Sequence, residues 1–174
     1  NTKEFSDYIV IKPDFTLIGK KSIKKISVYD DLLIRESIEF AAIDSGNGLV
    51  EIEQFIDGYD CSFMFWLENG NLTLLLTWDE LSNFDDNGDL VSIGLSMPSV
   101  AESLGHLDKI TKITNEISNN FQSLSALLAF SFRVDKNDKC WLIEIHADIT
   151  GDEILDKLAP NSSGDDYLRN ITRL

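Results

Sequence analysis

At 174 residues, 43% hydrophobic and 26% charged, the chain can bury one good core or two small lobes and reads as globular rather than disordered. Thirty acidic residues against fifteen Lys and Arg, a net charge of −15, argue against nucleic acid or an anionic membrane surface as the main partner, since phosphates are repelled. A single nucleotide needs only one local positive site and is not excluded. No apolar run approaches the length of a membrane span, and the opening NTKEFSDY has no signal-peptide character. Cys61 and Cys140 fall inside expected strands without CxxC spacing, so they read as reduced core residues of a cytoplasmic protein. The sequons at Asn71, Asn161 and Asn170 carry little weight without a secretory context. A start without Met suggests a domain cut from something longer.

In chain order, Tyr8-Ile9-Val10-Ile11 predicts a short strand that delivers Lys12 and Pro13 at its end. A loop from Asp14 to Lys21 follows, then a second strand over Ser22–Val28. Gly19-Lys20-Lys21-Ser22 is not a Walker A loop: the first Gly is missing, and a strand rather than a helix comes next. Such a loop can still cap phosphates through backbone N–H groups, although a plain hairpin with a solvated Lys explains it as well. Asp30 or Asp31 can cap a helix to about Ser45, with Leu32, Leu33, Ile38 and Ala42 on its apolar side and Gly46-Asn47-Gly48 as its stop. Leu49–Ile56 reads as a strand with Val50, Ile52, Gln54 and Ile56 on one face, and Leu49, Glu51, Glu53 and Phe55 on the other.

Asp60–Leu67 and Asn71–Trp78 predict two further strands joined by Asn69-Gly70, the strongest short hairpin signal in the chain. Asp85–Asp89 resembles a calcium loop only superficially, its Gly being misplaced and a Glu absent at the twelfth position, so it reads as a hairpin tip. Leu90–Met97 is the next strand, closed by Pro98. Ser99 is expected to begin one long helix to about Phe121, with Leu104, Leu107, Ile110, Ile113, Ile117 and Phe121 buried and His106 facing solvent.

Ser125–Val134 and Cys140–Ile145 predict a closing hairpin around Asp135–Lys139. With Asn137-Asp138 as a two-residue turn, Ser131 lies opposite Glu144 and Arg133 opposite Leu142. The last strand reads as buried on both faces except at Glu144, with Leu142, Glu144 and His146 pointing one way. Asp148, Thr150 and Asp152 gather around Gly151 just beyond. A carboxylate in an apolar strand requires a partner. A neighbouring Arg would satisfy it, and so would a metal or phosphate site. Glu153–Leu158 is a short helix.

Strand, Lys-Pro, loop, strand, helix, then Glu53-Gln54-Phe55-Ile56, a long helix and a Glu-bearing hairpin: in this order the chain resembles the ATP-grasp superfamily over nearly its whole length. ADITGDEILDKLAPNSSGDD, from Ala147 to Asp166, is similar to the tail of its carboxylate–amine ligases. The resemblance implies an α+β fold of two small antiparallel β-sheet lobes with flanking helices that clamp ATP between them. Residues 1–57 would form the small lobe with the phosphate loop and hinge strand, and 58–174 the larger lobe with the metal-site hairpin. The substrate lobe would be absent. ATP and Mg²⁺ are the implied cofactors, small-molecule carboxylates and amines the implied substrates, and a homo-oligomer is left open.

Position by position, Lys12 matches the lysine at the α-phosphate and adenine edge, and Gly19 belongs to the phosphate loop. Glu53 matches the acceptor for the adenine amino group. Gln54, Phe55 and Ile56 match the hinge whose backbone reads the purine, Leu142 joins the nucleotide-binding set, and Asp60 matches the acid on the ribose hydroxyls. Glu144, with His146, falls on the Mg²⁺ position. The chain departs from the family at His146, where Asn is usual, at Ser131, where the other metal carboxylate stands, and at Asp148, in place of an Arg. Three functions follow: part of an ATP-dependent carboxylate ligase acting through an acyl phosphate, a nucleotide-binding module without catalysis, or an α+β domain whose Glu144 pairs with Arg133.

Overall fold

Alternation along Tyr8–Pro13 places Ile9 and Ile11 on one face of a strand, β1, and Val10 and Lys12 on the other. A computed structural model of the chain describes residues 6–15, 20–147, 153–167 and 169. In it β1 is the centre of a three-stranded antiparallel sheet, flanked by β2 (Lys24–Ser27) and β3 (Val50–Gln54) in the order β2-β1-β3. Helix α1 (Asp31–Asp44) covers one face, where Ile11, Ile26 and Ala41 are fully buried among Ile9, Ile34, Ile38 and Val50. Asp30 caps it as expected, its carboxylate accepting from the Leu33 amide at 3.0 Å. Its buried stripe runs through Ile34, Ser37, Ile38 and Ala41; Leu32, expected inside, is 69% exposed.

The chain divides into two compact units, Asn1–Asp57 with Ser82–Gly94, and Gly58–Leu81 with Leu95–Leu174. A single cut at Asp57 would leave residues 82–94 with the second unit. They join the first because the Lys25 amide donates to Gly88 O at 2.8 Å and the Leu90 amide to Ile23 O at 3.1 Å. Gly88 permits this approach: its φ is +79°, and a Cβ there would lie 2.3 Å from Lys25 O.

The second sheet orders as β6-β5-β4-β7-β8, with β4 Gly58–Glu68, β5 Asn71–Phe84, β6 Leu90–Ser96, β7 Ser125–Asp135 and β8 Cys140–His146. Asn69 and Gly70, both at positive φ, turn β4 into β5 as the Asn-Gly signal predicts. On one face Cys61, Phe63 and Phe65 of β4 meet Phe132, Phe130 and Leu128 of β7, and Phe63/Phe132 and Phe65/Phe130 pack edge to face. Met64, Leu76, Trp78 and Ala129 lie in a second core with Ile154, Leu155 and Ala159. Those three come from a π-helical turn (Ile154–Leu158) that continues into a short helix, Ala159–Ser163.

The single helix expected from Ser99 to Phe121 is two: α2 (Val100–Ser103) and α3 (Leu107–Ser118). Gly105, at φ +78°, breaks it. Leu107, Ile110, Ile113 and Ile117 pack on the aromatic core as expected, whereas Leu104 and Phe121 are exposed. The break also overturns the placement of His106. As the residue before α3 it is only 3% exposed, with Nε2 3.5 Å from the Asp138 carboxylate at the β7–β8 turn.

Candidate functional site

The face of the first sheet opposite α1 is built by pairing. Lys25, Val10 and Glu53 lie in one row across β2, β1 and β3, and Lys12 lies opposite Glu51. Lys12 Nζ stands 2.9 Å from Glu51 and 3.3 Å from Glu53, and its side chain is only 16% exposed. Burial works to lower its pKa, but hydrogen bonds and the charges of Glu51 and Glu53 more than offset that and raise it above its ordinary 10.5. Lys12 and Glu53, both expected at the nucleotide, are therefore brought together as an ion pair. Lys25, which the sequence did not single out, holds its ammonium 3.9 Å from the Phe55 ring centre and 4.6 Å from that of Tyr8.

The expected hinge begins at the end of β3. Gln54 is exposed opposite Ile9, and Ile56 is half-buried just past the strand. The Phe55 amide donates to Tyr8 O at 3.0 Å. Gly19 of the phosphate loop lies outside the described residues, as do Asp148, Thr150, Gly151 and Asp152 beyond β8.

The second unit presents a polar face where its apolar core ends. Glu80, Asp60, Arg133 and Trp141 form one cross-strand row, and Ser62, Ser131 and Glu144 the next. Arg133 grips Asp60 with two parallel bonds, Nε to Oδ1 at 2.7 Å and Nη2 to Oδ2 at 2.6 Å. Asp60, expected at a ribose, is thus held by a guanidinium. Glu144 Oε1 meets His146 Nε2 at 3.0 Å. The Ser62 and Ser131 hydroxyls lie 3.0 Å apart, and Ser62 donates to Glu80 at 3.2 Å.

The β7–β8 register explains what shares this face. Asp135 closes a three-residue loop: its amide donates to Lys139 O, its carboxylate accepts from the Asn137 and Lys139 amides, and Asp138 sits at φ +58°. The indole N–H of Trp141, first, and those two amides hold the Asp135 carboxyl below its usual range against the opposing effect of burial. Arg133 consequently faces Trp141, one residue off the expected Leu142. A bulge at Ile143 then takes up the slip, so Ser131 does face Glu144. Leu142 pairs with the core residue Phe132 and lies on the face opposite Glu144, not beside it as the uninterrupted alternation suggested. Nor is β8 buried on both faces: it is an edge strand, and Leu142, Ile143 and Ile145 are exposed.

The donors on this face do not by themselves fit Mg²⁺. The ion favours hard oxygens in octahedral array, usually one or two carboxylates with phosphates and water. Here one carboxylate is engaged by an imidazole, and a hydroxyl stands opposite it. Among the described residues no three His, Cys, Asp or Glu converge on a common point.

Two antiparallel sheets of three and five strands with flanking helices make this an α+β protein with the ATP-grasp fold. No family model and no curated protein sequence matches the chain. Solved structures do. A biotin carboxylase from Campylobacter jejuni, in complex with β-γ-ATP, superposes with a TM-score of 0.67 at 15% identity over 95% of this chain and 36% of its own. An L-amino acid ligase from Bacillus licheniformis gives 0.68 at 19% identity over 97% of this chain and 41% of its own. D-alanyl-alanine synthetase A from Vibrio cholerae gives 0.58 at 16% identity over 81% and 42%. The chain thus spans well under half the length of each.

Proposed function

We propose that this chain binds an adenine nucleotide as part of an ATP-dependent carboxylate–amine ligase. In that reaction a carboxylate oxygen attacks the γ-phosphorus, ADP departs, and an amine then displaces phosphate from the acyl phosphate. Positioning supplies most of the catalysis, so no nucleophilic side chain is needed. The observation that carries the proposal is the face of the first sheet, where Lys12, held between Glu51 and Glu53, borders Val10 and the aromatic pair Tyr8 and Phe55. Val10, two rings that carry the Lys25 ammonium, and the charged groups beside them combine apolar and cationic chemistry of the kind a purine and its phosphates require. The shared fold with nucleotide-bound relatives supports it: besides the β-γ-ATP complex, a Staphylococcus aureus N5-carboxyaminoimidazole synthetase with the same fold was solved with ADP.

A second reading, nucleotide binding without catalysis, is favoured by one observation: Ser131 bonded to Ser62, and Glu144 to His146, where the fold's metal ligands are expected. Thermal denaturation with ATP, with and without Mg²⁺, tests the shared premise. At a hundredfold excess over Kd the midpoint should rise by roughly 5–10 °C. No shift with any adenine nucleotide overturns both readings. Consumption of ATP by the longer protein, supplied with candidate acids and amines, selects the ligase, and binding without consumption selects the module.

A further inference from the structure

We infer that Lys25 is a second cationic contact for the phosphates of the bound nucleotide, an inference that rests on the nucleotide-binding proposal. The chain carries twice as many acidic as basic residues. Accordingly, the cations around it are matched: Lys12 with Glu51 and Glu53, Lys21 with Asp44, Lys24 with Asp89. Lys25 is arranged otherwise. Its half-buried ammonium lies over Phe55 at 3.9 Å, Tyr8 at 4.6 Å and Phe84 at 6.0 Å, with no carboxylate of the described residues in an ion pair with it.

Ring faces attract a cation but leave its charge uncompensated, so an anion gains the full attraction when it arrives. Position makes that anion a phosphate rather than a protein carboxylate. Lys25 projects from the same sheet face as Lys12, with Val10 between Lys25 and Glu53 in the row, and Glu53 is committed to Lys12. The aromatic seat also fixes where the ammonium waits, which lowers the ordering cost of a long side chain. Lys12, by contrast, is neutralised by two carboxylates. Lys12, Glu51 and Glu53 together sum to −1, and Lys25, which has no ion-paired carboxylate among the described residues, brings the four to zero.

The test compares wild type, Lys25→Gln and Lys25→Arg, each verified as folded by circular dichroism, in calorimetric titrations with adenosine, ATP and tripolyphosphate. The expected result is that Lys25→Gln weakens ATP and tripolyphosphate by about tenfold or more, leaves adenosine unchanged, and is largely rescued by Lys25→Arg. Equal losses for adenosine and ATP would make Lys25 a packing residue and overturn the inference, as would unchanged ATP affinity. If wild type binds tripolyphosphate but not adenosine, the adenine proposal fails while loss of tripolyphosphate in Lys25→Gln still upholds the phosphate contact. If wild type binds none of the three, the inference falls as well.

Discussion

Replacing Arg133 with Met removes both bonds to Asp60 and leaves the aspartate beside Glu80, its neighbour across the strand pair. The side chains are 15% and 24% exposed, which sets the pair between a surface ion pair, worth about 0–1 kcal/mol, and a buried one whose disruption costs about 3–5 kcal/mol. Discounted for that exposure, Arg133→Met should destabilise by about 2–3 kcal/mol, or roughly 5–10 °C in midpoint. Arg133→Lys keeps the charge but not the two-pronged geometry and should recover only part of the loss. Urea denaturation of Arg133→Met, Asp60→Asn and the double variant completes a cycle, in which the coupling should be about 1–2 kcal/mol. The double variant should be more stable than the sum of the single losses implies, because it removes both members of the pair together. A single-variant loss under about 0.5 kcal/mol, or strict additivity, would show that the clamp does not organise this face.

Lys12→Met should lower stability by about 1–2 kcal/mol at neutral pH, since it leaves Glu51 and Glu53 without their shared cation. The folded protein raises the Lys12 pKa above 10.5, so this contribution is fully present below 10.5 and is lost as pH climbs through the folded value. Denaturation curves of wild type and variant should therefore converge only above that pH. Gly88→Ala should cost about 1–3 kcal/mol, because a Cβ would meet Lys25 O in addition to the positive φ, whereas Gly48→Ala, with open space around it, should cost about 1 kcal/mol. Burial pushes the Cys61 thiol up to about 12 and also raises Cys140, so thiol reagents at pH 8 should label the native protein far more slowly than the urea-unfolded chain. Fast labelling of Cys61 in the native state would contradict its burial.

Local chemistry made much of the fold legible in advance. Alternation at Tyr8–Pro13, the Asp30 cap, Asn69-Gly70 and the stripe Leu107, Ile110, Ile113, Ile117 all act within a few residues and reappear where the sequence puts them. Apolar spacing continues across Gly105, but its positive φ does not fit a right-handed helix, so the helix expected from Ser99 divides there and His106 becomes the residue before α3. Lys25 gave no signal beyond a lysine in a short strand: only the neighbouring strand and the Ser82–Gly94 hairpin bring Tyr8, Phe55 and Phe84 around it.

Residue order alone determined that this acidic chain forms strands and helices in the succession of the ATP-grasp fold, because hydrophobic period and turn chemistry are short-range properties. Which charges meet was decided only by the assembled sheets. Lys12 finds Glu51 and Glu53 through the β1–β3 register, Asp60 finds Arg133 seventy-three residues away, and one extra residue at Ile143 sends Leu142 and Glu144 to opposite faces. Partners so distant in sequence are set by strand pairing, and strand pairing is settled by burying the whole core at once.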